Sequence, residues 1–339
     1  MERFLLWEKD DTYTNYRIPG LIVTAEGTLI TYCEARRSAS DWAFMDIKMK
    51  RSSDGGHTFS EPVTLAFGTK DVPTVNNPVM IQDKKGRIHF LYCEHYGVEN
   101  GGNVFHRFSD DDGITWSRKK NITAATLPDF RNAFALGPGH GICTKTGALI
   151  IPVWMVPKYH GVPPERHGPA VISTLFSLDN GRTWQMGELL ETTPRVISPN
   201  ETVAAETSDG RIYLNIRHGC TTRCQAYSEN GYLRWGDYRP VPELPDPQCF
   251  GSVISYSDGK NPCSLIFGNC ACKTSRTNVT VRKSTDDGKT WSRGLLIDEK
   301  AGGYVELGSD PRNGAVYVIY EENYGVKDYI VILNYDEIP

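Results

Sequence analysis

Apolar residues in this chain come in short runs that end at Gly, Pro, Asn or Asp before a helical period can establish itself. Residues 14–25 (TNYRIPGLIVTA) and 28–35 (TLITYCEA) are two such runs around a turn at Glu26-Gly27. The pattern returns in VNNPVMIQ and RIHFLYCEH around Lys84 and Gly86, and in residues 134–155 around Thr146-Gly147. It returns again in residues 198–219 around Asp209-Gly210, in 249–270 with 275–284, and in 302–338. Runs rich in Val, Ile, Tyr and Phe and bounded by turn residues predict strands joined by hairpins. No segment carries the period of a long amphipathic helix, and no Pro- or Ser-rich linker divides the chain, so one domain over 1–339 is expected.

A short polar signature punctuates these strands. Residues 52–59 read SSDGGHTF, 109–116 SDDDGITW, 177–184 SLDNGRTW and 284–291 STDDGKTW, all fitting S-x-D-x-G-x-T-[W/F], the pattern called an Asp box. A worn copy, SENGYLRW at 228–235, keeps Ser and Trp but loses the Asp. Ser and Asp side chains accept from turn amides, Gly supplies a positive φ, and the aromatic ring suits the blade's own small core. Asp54, Asp111, Asp179 and Asp286 are therefore assigned to turn chemistry, not catalysis. Gly56, Gly113, Gly181, Gly231 and Gly288 stand 57, 68, 50 and 57 residues apart, so 339 residues hold about six such units. Five carry a box, and a sixth would be closed by the two chain ends. The expected fold is all-β: a six-bladed β-propeller with Asp-box hairpin turns.

Composition narrows the function classes. A net charge of −4 supplies no basic field for nucleic acid or an anionic membrane. No run approaches the roughly 18 apolar residues that span a bilayer. The opening MERFLLWEKDD is too short in its apolar part for a secretory signal, so a cytoplasmic location is expected, with export left open if a leader was trimmed. Nine cysteines at irregular intervals fit reduced thiols, and the sequons at Asn121, Asn200 and Asn278 carry little weight without export. Cys220, Cys224, Cys270 and Cys272 have poor spacing for zinc, and the glycine run 137–141 opens no helix for a nucleotide. No metal or organic cofactor is expected.

At Tyr16-Arg17-Ile18-Pro19, followed by the boxes in order, the chain resembles the exo-sialidases of the bacterial and animal type over residues 13–335. That resemblance implies retaining hydrolysis of a terminal α-linked sialic acid, or a related 2-keto acid sugar, from a sialylated glycan or free sialoside. It places an arginine triad for the sugar carboxylate on Arg17, Arg217 and Arg276, since a guanidinium fork matches a carboxylate as no lysine does. It places the acid/base on Asp41, with Asp46 as competitor. Trp42 and Phe44 beside Asp41 are expected to exclude water and raise its pKa. The nucleophile falls on Tyr304 and its base on Glu201, with Glu306 a competing neighbour. A neutral phenol meets no like charge at an anomeric carbon that bears a carboxylate, and sialidases are known exceptions to the two-carboxylate rule.

Glu34 and Glu321 fall where the family pairs carboxylates with triad arginines, and Arg36 where an arginine nears the sugar 4-hydroxyl. Asn77-Pro78, Trp154 and Phe250 are candidate pocket walls. The loop 37–46 and residues 154–160 do not reproduce the family's N-acetyl pocket, which leaves the sugar open. The rival reading is a non-catalytic Asp-box propeller that binds carbohydrate or protein, and a third is a transferase in which an acceptor sugar replaces water. Oligomeric state and linkage preference have no signal in the sequence.

Overall fold

In the computed structural model, which describes every residue except 97–101, 162, 164, 165, 259–262 and 301, the strands build six sheets of four or five strands arranged in a ring. The first blade runs outward through Asn15–Val23, Leu29–Arg36, Met45–Ser52 and Val63–Ala66. The next five begin with Thr74–Gln82, Arg131–Leu136, Thr202–Glu206, Ser252–Tyr256 and Gly302–Asp310, the first of these edged on its inner side by the short parallel strand Gly139–His140. The chain ends close the ring: Glu2–Glu8 pairs antiparallel with Lys327–Asn334 and becomes the outer strand of the sixth blade. The protein is thus an all-β, six-bladed propeller. No helix among the described residues is long and apolar enough to cross a membrane.

The boxes work as hairpin locks. Ser52 Oγ accepts from Gly56 N at 2.9 Å, while Asp54 accepts from Thr58 N at 3.0 Å and from its hydroxyl at 2.6 Å. The same three bonds recur at Asp111, Asp179 and Asp286. The worn copy keeps the device by substitution. Asn230 Oδ1 accepts from the amides of Tyr232 and Leu233, in a turn one residue shorter. Its acid is lost, as the sequence reads, but its acceptor is not.

Packing differs from the expectation of a small core inside each blade. The apolar clusters lie in the joints between blades: Ile30, Tyr32 and Ile47 of the first pack with Val75, Met80 and Phe90 of the second. Trp116 and Trp291 stay edge-on to Phe90 and Phe267 of their own blades, but Trp184 crosses the joint to His89 and His106 of its neighbour. Strands buried on both faces explain this, because only the joints offer apolar surface to both. Six wedges held this way keep the inner strand ends at fixed places around the axis.

Candidate active site

Those inner ends do not run straight. In Asn15–Val23 the pairing register breaks between Arg17 and Gly20, where Ile18 adopts φ 58° and Pro19 offers no N–H. Gly20 must be glycine, since a Cβ would lie 1.9 Å from the Tyr32 ring. The bulge frees the Ile18 amide, which donates to Glu321 Oε1 at 3.0 Å, while Arg17 Nε donates to the same oxygen at 2.8 Å. The second blade repeats the device at Asn77-Pro78, where Asn77 has φ 49° and its N–H donates to Glu34 Oε1 at 2.7 Å. In both cases a buried glutamate on the second strand of the preceding blade pins the bulge of the next.

Glu321 does one thing more. Its Oε2 accepts from Tyr304 N at 3.0 Å, and Gly303 lets that contact form because a Cβ there would sit 2.1 Å from the same oxygen. Tyr304, 6% exposed, donates its hydroxyl to Glu201 Oε1. Glu201 Oε2 accepts in turn from Arg217 Nη1, which also reaches the Tyr304 oxygen at 3.4 Å. The guanidinium carbons of Arg17 and Arg276 stand 5.1 and 5.6 Å from the Tyr304 ring centre. Phe250 supports that ring from 5.3 Å without lining the cleft. Burial first, then the Glu201 charge, pushes the Tyr304 phenol well above its ordinary pKa, against the pull of Arg217, Arg17 and Arg276. At rest it is a neutral phenol hydrogen-bonded to a carboxylate.

Above Tyr304 opens a cleft of about 310 Å³ lined by all three arginines, Glu34, Arg36, Asp41 and Glu201. Residues from all six blades and the loop after Leu29–Arg36 meet there. Arg36 is buried, gripping Glu34 through Nε and Nη2 at 2.8 and 2.6 Å and Asp41 through Nη1 at 2.7 Å. Among the described residues no group of three or more His, Cys, Asp or Glu is arranged to hold a metal ion.

Comparison with known proteins bears on what such a cleft belongs to. A family model described as a BNR repeat-like domain matches residues 45–318. A sialidase of Micromonospora viridifaciens is 30% identical over 341 residues, covering 93% of this chain and 51% of that protein. One from Bacteroides fragilis is 29% identical, covering 86% and 57%. Among solved structures, the Hadza microbial sialidase Hz136 superposes with a TM-score of 0.84 at 26% identity, covering 97% of this chain and 68% of that one. The chain belongs to the BNR-repeat exo-sialidase family. It spans about half the length of these two curated relatives.

Within this sialidase fold several expectations change. Asp41 is not in a pKa-raising pocket. Burial pushes its carboxyl up, but the Arg36 charge and hydrogen bond, with His167 and Arg17 behind, hold it below the usual carboxylate value. Its side chain is 53% exposed, and Phe44 has turned to stack under Arg37 instead of covering it. Glu34 pairs with Arg36, not with a triad arginine, because the bulge at Asn77 draws it toward the second blade. Asp46 leaves the competition: it accepts from the Tyr13 hydroxyl and from Gly68 N and lines no part of the cleft. Glu306 lies deeper on the axis, fully buried against His140. Asn77 and Trp154 line the cleft, Pro78 and Phe250 do not. Sequence reasoning missed Asn76, His95, His167 and His218, whose flanking residues follow ordinary strand or loop patterns.

Proposed function

We propose that this chain is an exo-α-sialidase that removes terminal α-linked sialic acid with retention of configuration. One observation carries the reading: a buried phenol hydrogen-bonded to a glutamate, ringed by three guanidiniums from three blades, at the floor of an open cleft. Glu321 and Glu201 each engage one of these guanidiniums, at Arg17 Nε and Arg217 Nη1, and Arg276 has no carboxylate partner among the described residues, so the three together form a receptor for a carboxylate. Arg17, Arg217 and Arg276 hold the sugar C2 carboxylate. Tyr304 Oη, giving its proton to Glu201, attacks C2 as the glycosidic oxygen takes a proton from Asp41 and departs. Water that has given a proton to Asp41 then displaces the tyrosine from the same face that the aglycone left.

Asp41 is ionised in the empty cleft, so it must gain proton affinity when substrate binds. The substrate supplies that change itself. Its carboxylate offsets Arg17, one of the charges that lower the Asp41 pKa, and closure of the cleft adds desolvation. The test is Tyr304→Phe on a fluorogenic aryl sialoside, with kcat expected to fall about 10³-fold or more and Tm to stay within about 2 °C. Near-normal turnover would refute the reading. NMR of the parent reaction should detect the α-anomer first, and initial release of the β-anomer would overturn retention.

A further inference from the structure

Of the three arginines that face the cleft, Arg276 is the least firmly tied. Arg17 and Arg217 are each aimed by a buried carboxylate, Glu321 and Glu201. Arg276 has a single hydrogen bond among the described residues, 3.4 Å to Gln248 O. A side chain this long needs something more to keep its guanidinium in one place. Two rings are in position to do so. The guanidinium carbon stands 5.6 Å from the ring centre of Tyr304 and 5.5 Å from that of Tyr324. Both distances fall within the range at which a ring face attracts a cation. Tyr304 belongs to the proposed chemistry, but Tyr324 does not. It is 49% exposed, lines no part of the cleft, and its hydroxyl has no hydrogen-bond partner among the described residues.

The backbone under Tyr324 is an unfavourable place for an aromatic residue. Gly325 N donates to Glu322 O at 3.2 Å and closes a turn whose central residues, Asn323 and Tyr324, have φ 51° and 58°. Positive φ at both central positions is the mark of a type I′ hairpin turn, which Asn-Gly fits best. Here the Asn is kept and a tyrosine stands where glycine is the default, although a bulky side chain is disfavoured at that φ. The turn is also fastened in place. Asn15 Nδ2 donates to Tyr324 O at 3.1 Å and Tyr16 N to Gly325 O at 2.7 Å. A Cβ on Gly325 would lie 2.0 Å from Tyr16 O and 2.7 Å from Arg17 Cδ. The sixth-blade turn is thus clamped to the segment that carries Arg17, while its ring reaches Arg276 of the fifth blade. Backbone strain of this kind persists where the surroundings enforce it and clusters at functional sites.

We propose that Tyr324 is a positioning residue: its ring face holds the Arg276 guanidinium in register with the cleft, so that the fork meets a carboxylate already aligned. The inference rests on the proposed function, in which Arg276 grips the substrate carboxylate. Tyr324 acts on affinity and not on the chemical step, since no hydrogen bond or ring contact joins it to Asp41, Glu201 or Tyr304 among the described residues.

The experiment measures kcat, KM and Tm for Tyr324→Gly, Tyr324→Asn and Tyr324→Phe on an aryl sialoside. Tyr324→Gly removes the ring and relieves the turn, so KM is expected to rise about fourfold with kcat within about 1.5-fold and Tm unchanged or up by as much as about 2 °C. Tyr324→Asn, which tolerates the same φ without glycine's flexibility, should match it. Tyr324→Phe keeps the ring face and should hold KM within about 1.5-fold of the parent. A KM unmoved by loss of the ring, a fall in kcat and Tm together, or a Tyr324→Phe protein as impaired as Tyr324→Gly would overturn the proposal. Calorimetric titration with free sialic acid gives a reading without turnover: in Tyr304→Phe, which keeps its own ring beside Arg276, adding Tyr324→Gly should weaken binding about fourfold. If the parent neither hydrolyses a sialoside nor binds sialic acid, the proposed function falls and takes this role with it. If the parent does both and the Tyr324 variants bind as tightly, only the role of Tyr324 falls.

Discussion

Replacing Glu321 by Gln tests whether one buried carboxylate joins the substrate grip to the nucleophile. Glu321 is fully buried and takes three donors: Arg17 Nε and Ile18 N on one oxygen, Tyr304 N on the other. Gln can keep one oxygen's partners, but its NH₂ must then face at least one of those N–H groups. No neighbour replaces the lost charge. Asp328, also buried, is pushed well up by burial first and by the Glu321 charge second, so burial still opposes its ionisation in the variant. Breaking a buried ion pair costs about 3–5 kcal/mol, and an unsatisfied buried N–H about 1–3 kcal/mol. Because the amide keeps part of the hydrogen bonding, a total near 4 kcal/mol is expected rather than the sum. At about 2.1 cal/mol/K of unfolding entropy per residue, 339 residues give about 0.7 kcal/mol/K. Differential scanning calorimetry should therefore show Tm lowered by about 6 °C. Arg17 and Tyr304 both lose their anchor, so kcat/KM on an aryl sialoside should fall by about 10²-fold. A Tm within about 1 °C of the parent and kcat/KM within about threefold would refute the coupling.

Arg276→Lys separates carboxylate grip from chemistry. The Arg276 guanidinium has one hydrogen bond among the described residues, a 3.4 Å contact to Gln248 O, and is otherwise presented to the cleft. A point charge cannot reproduce its fork, so KM should rise by about tenfold or more with kcat within about threefold, and an unchanged KM would count against the role. Arg36→Met tests the acid. Arg36 favours the ionised form of Asp41, so removing it raises the pKa of a group that the proposed mechanism needs protonated. The alkaline limb of the kcat/KM profile should move to higher pH, and a limb that stays or moves down would remove Asp41 from the acid role.

What the sequence made legible follows from the range of the interactions involved. A box is a lock closed within four residues, so Ser52, Asp54 and Gly56 announce their turn wherever the chain goes next. Arg-Ile-Pro-Gly is legible for a similar reason, since a positive-φ residue, a proline and a space-limited glycine are all needed at one bulge. Ring closure by Glu2–Glu8 could be inferred from counting units, although the pairing partner is more than 300 residues away.

The partners of those residues were harder to read, because they are chosen by the stacking of blades. Glu34 and Glu321 look alike in sequence, each inside a buried strand, and each pins a bulge on the next blade. Only Glu321 meets an arginine of the triad, because the bulge it pins carries Arg17 while the one pinned by Glu34 carries Asn77. The misjudged pKa of Asp41 has the same origin. Trp42 and Phe44 are its neighbours along the chain, but the group that sets its charge is Arg36, brought round by the loop and locked by Glu34. A guanidinium only 3% exposed cannot be left with one carboxylate and an open side, so it reaches for a second, and Asp41 is the one within reach. The loop that carries Asp41 is therefore positioned by electrostatics from beneath rather than by apolar cover from above, and under the proposed function the proton on Asp41 becomes conditional on what occupies the arginines.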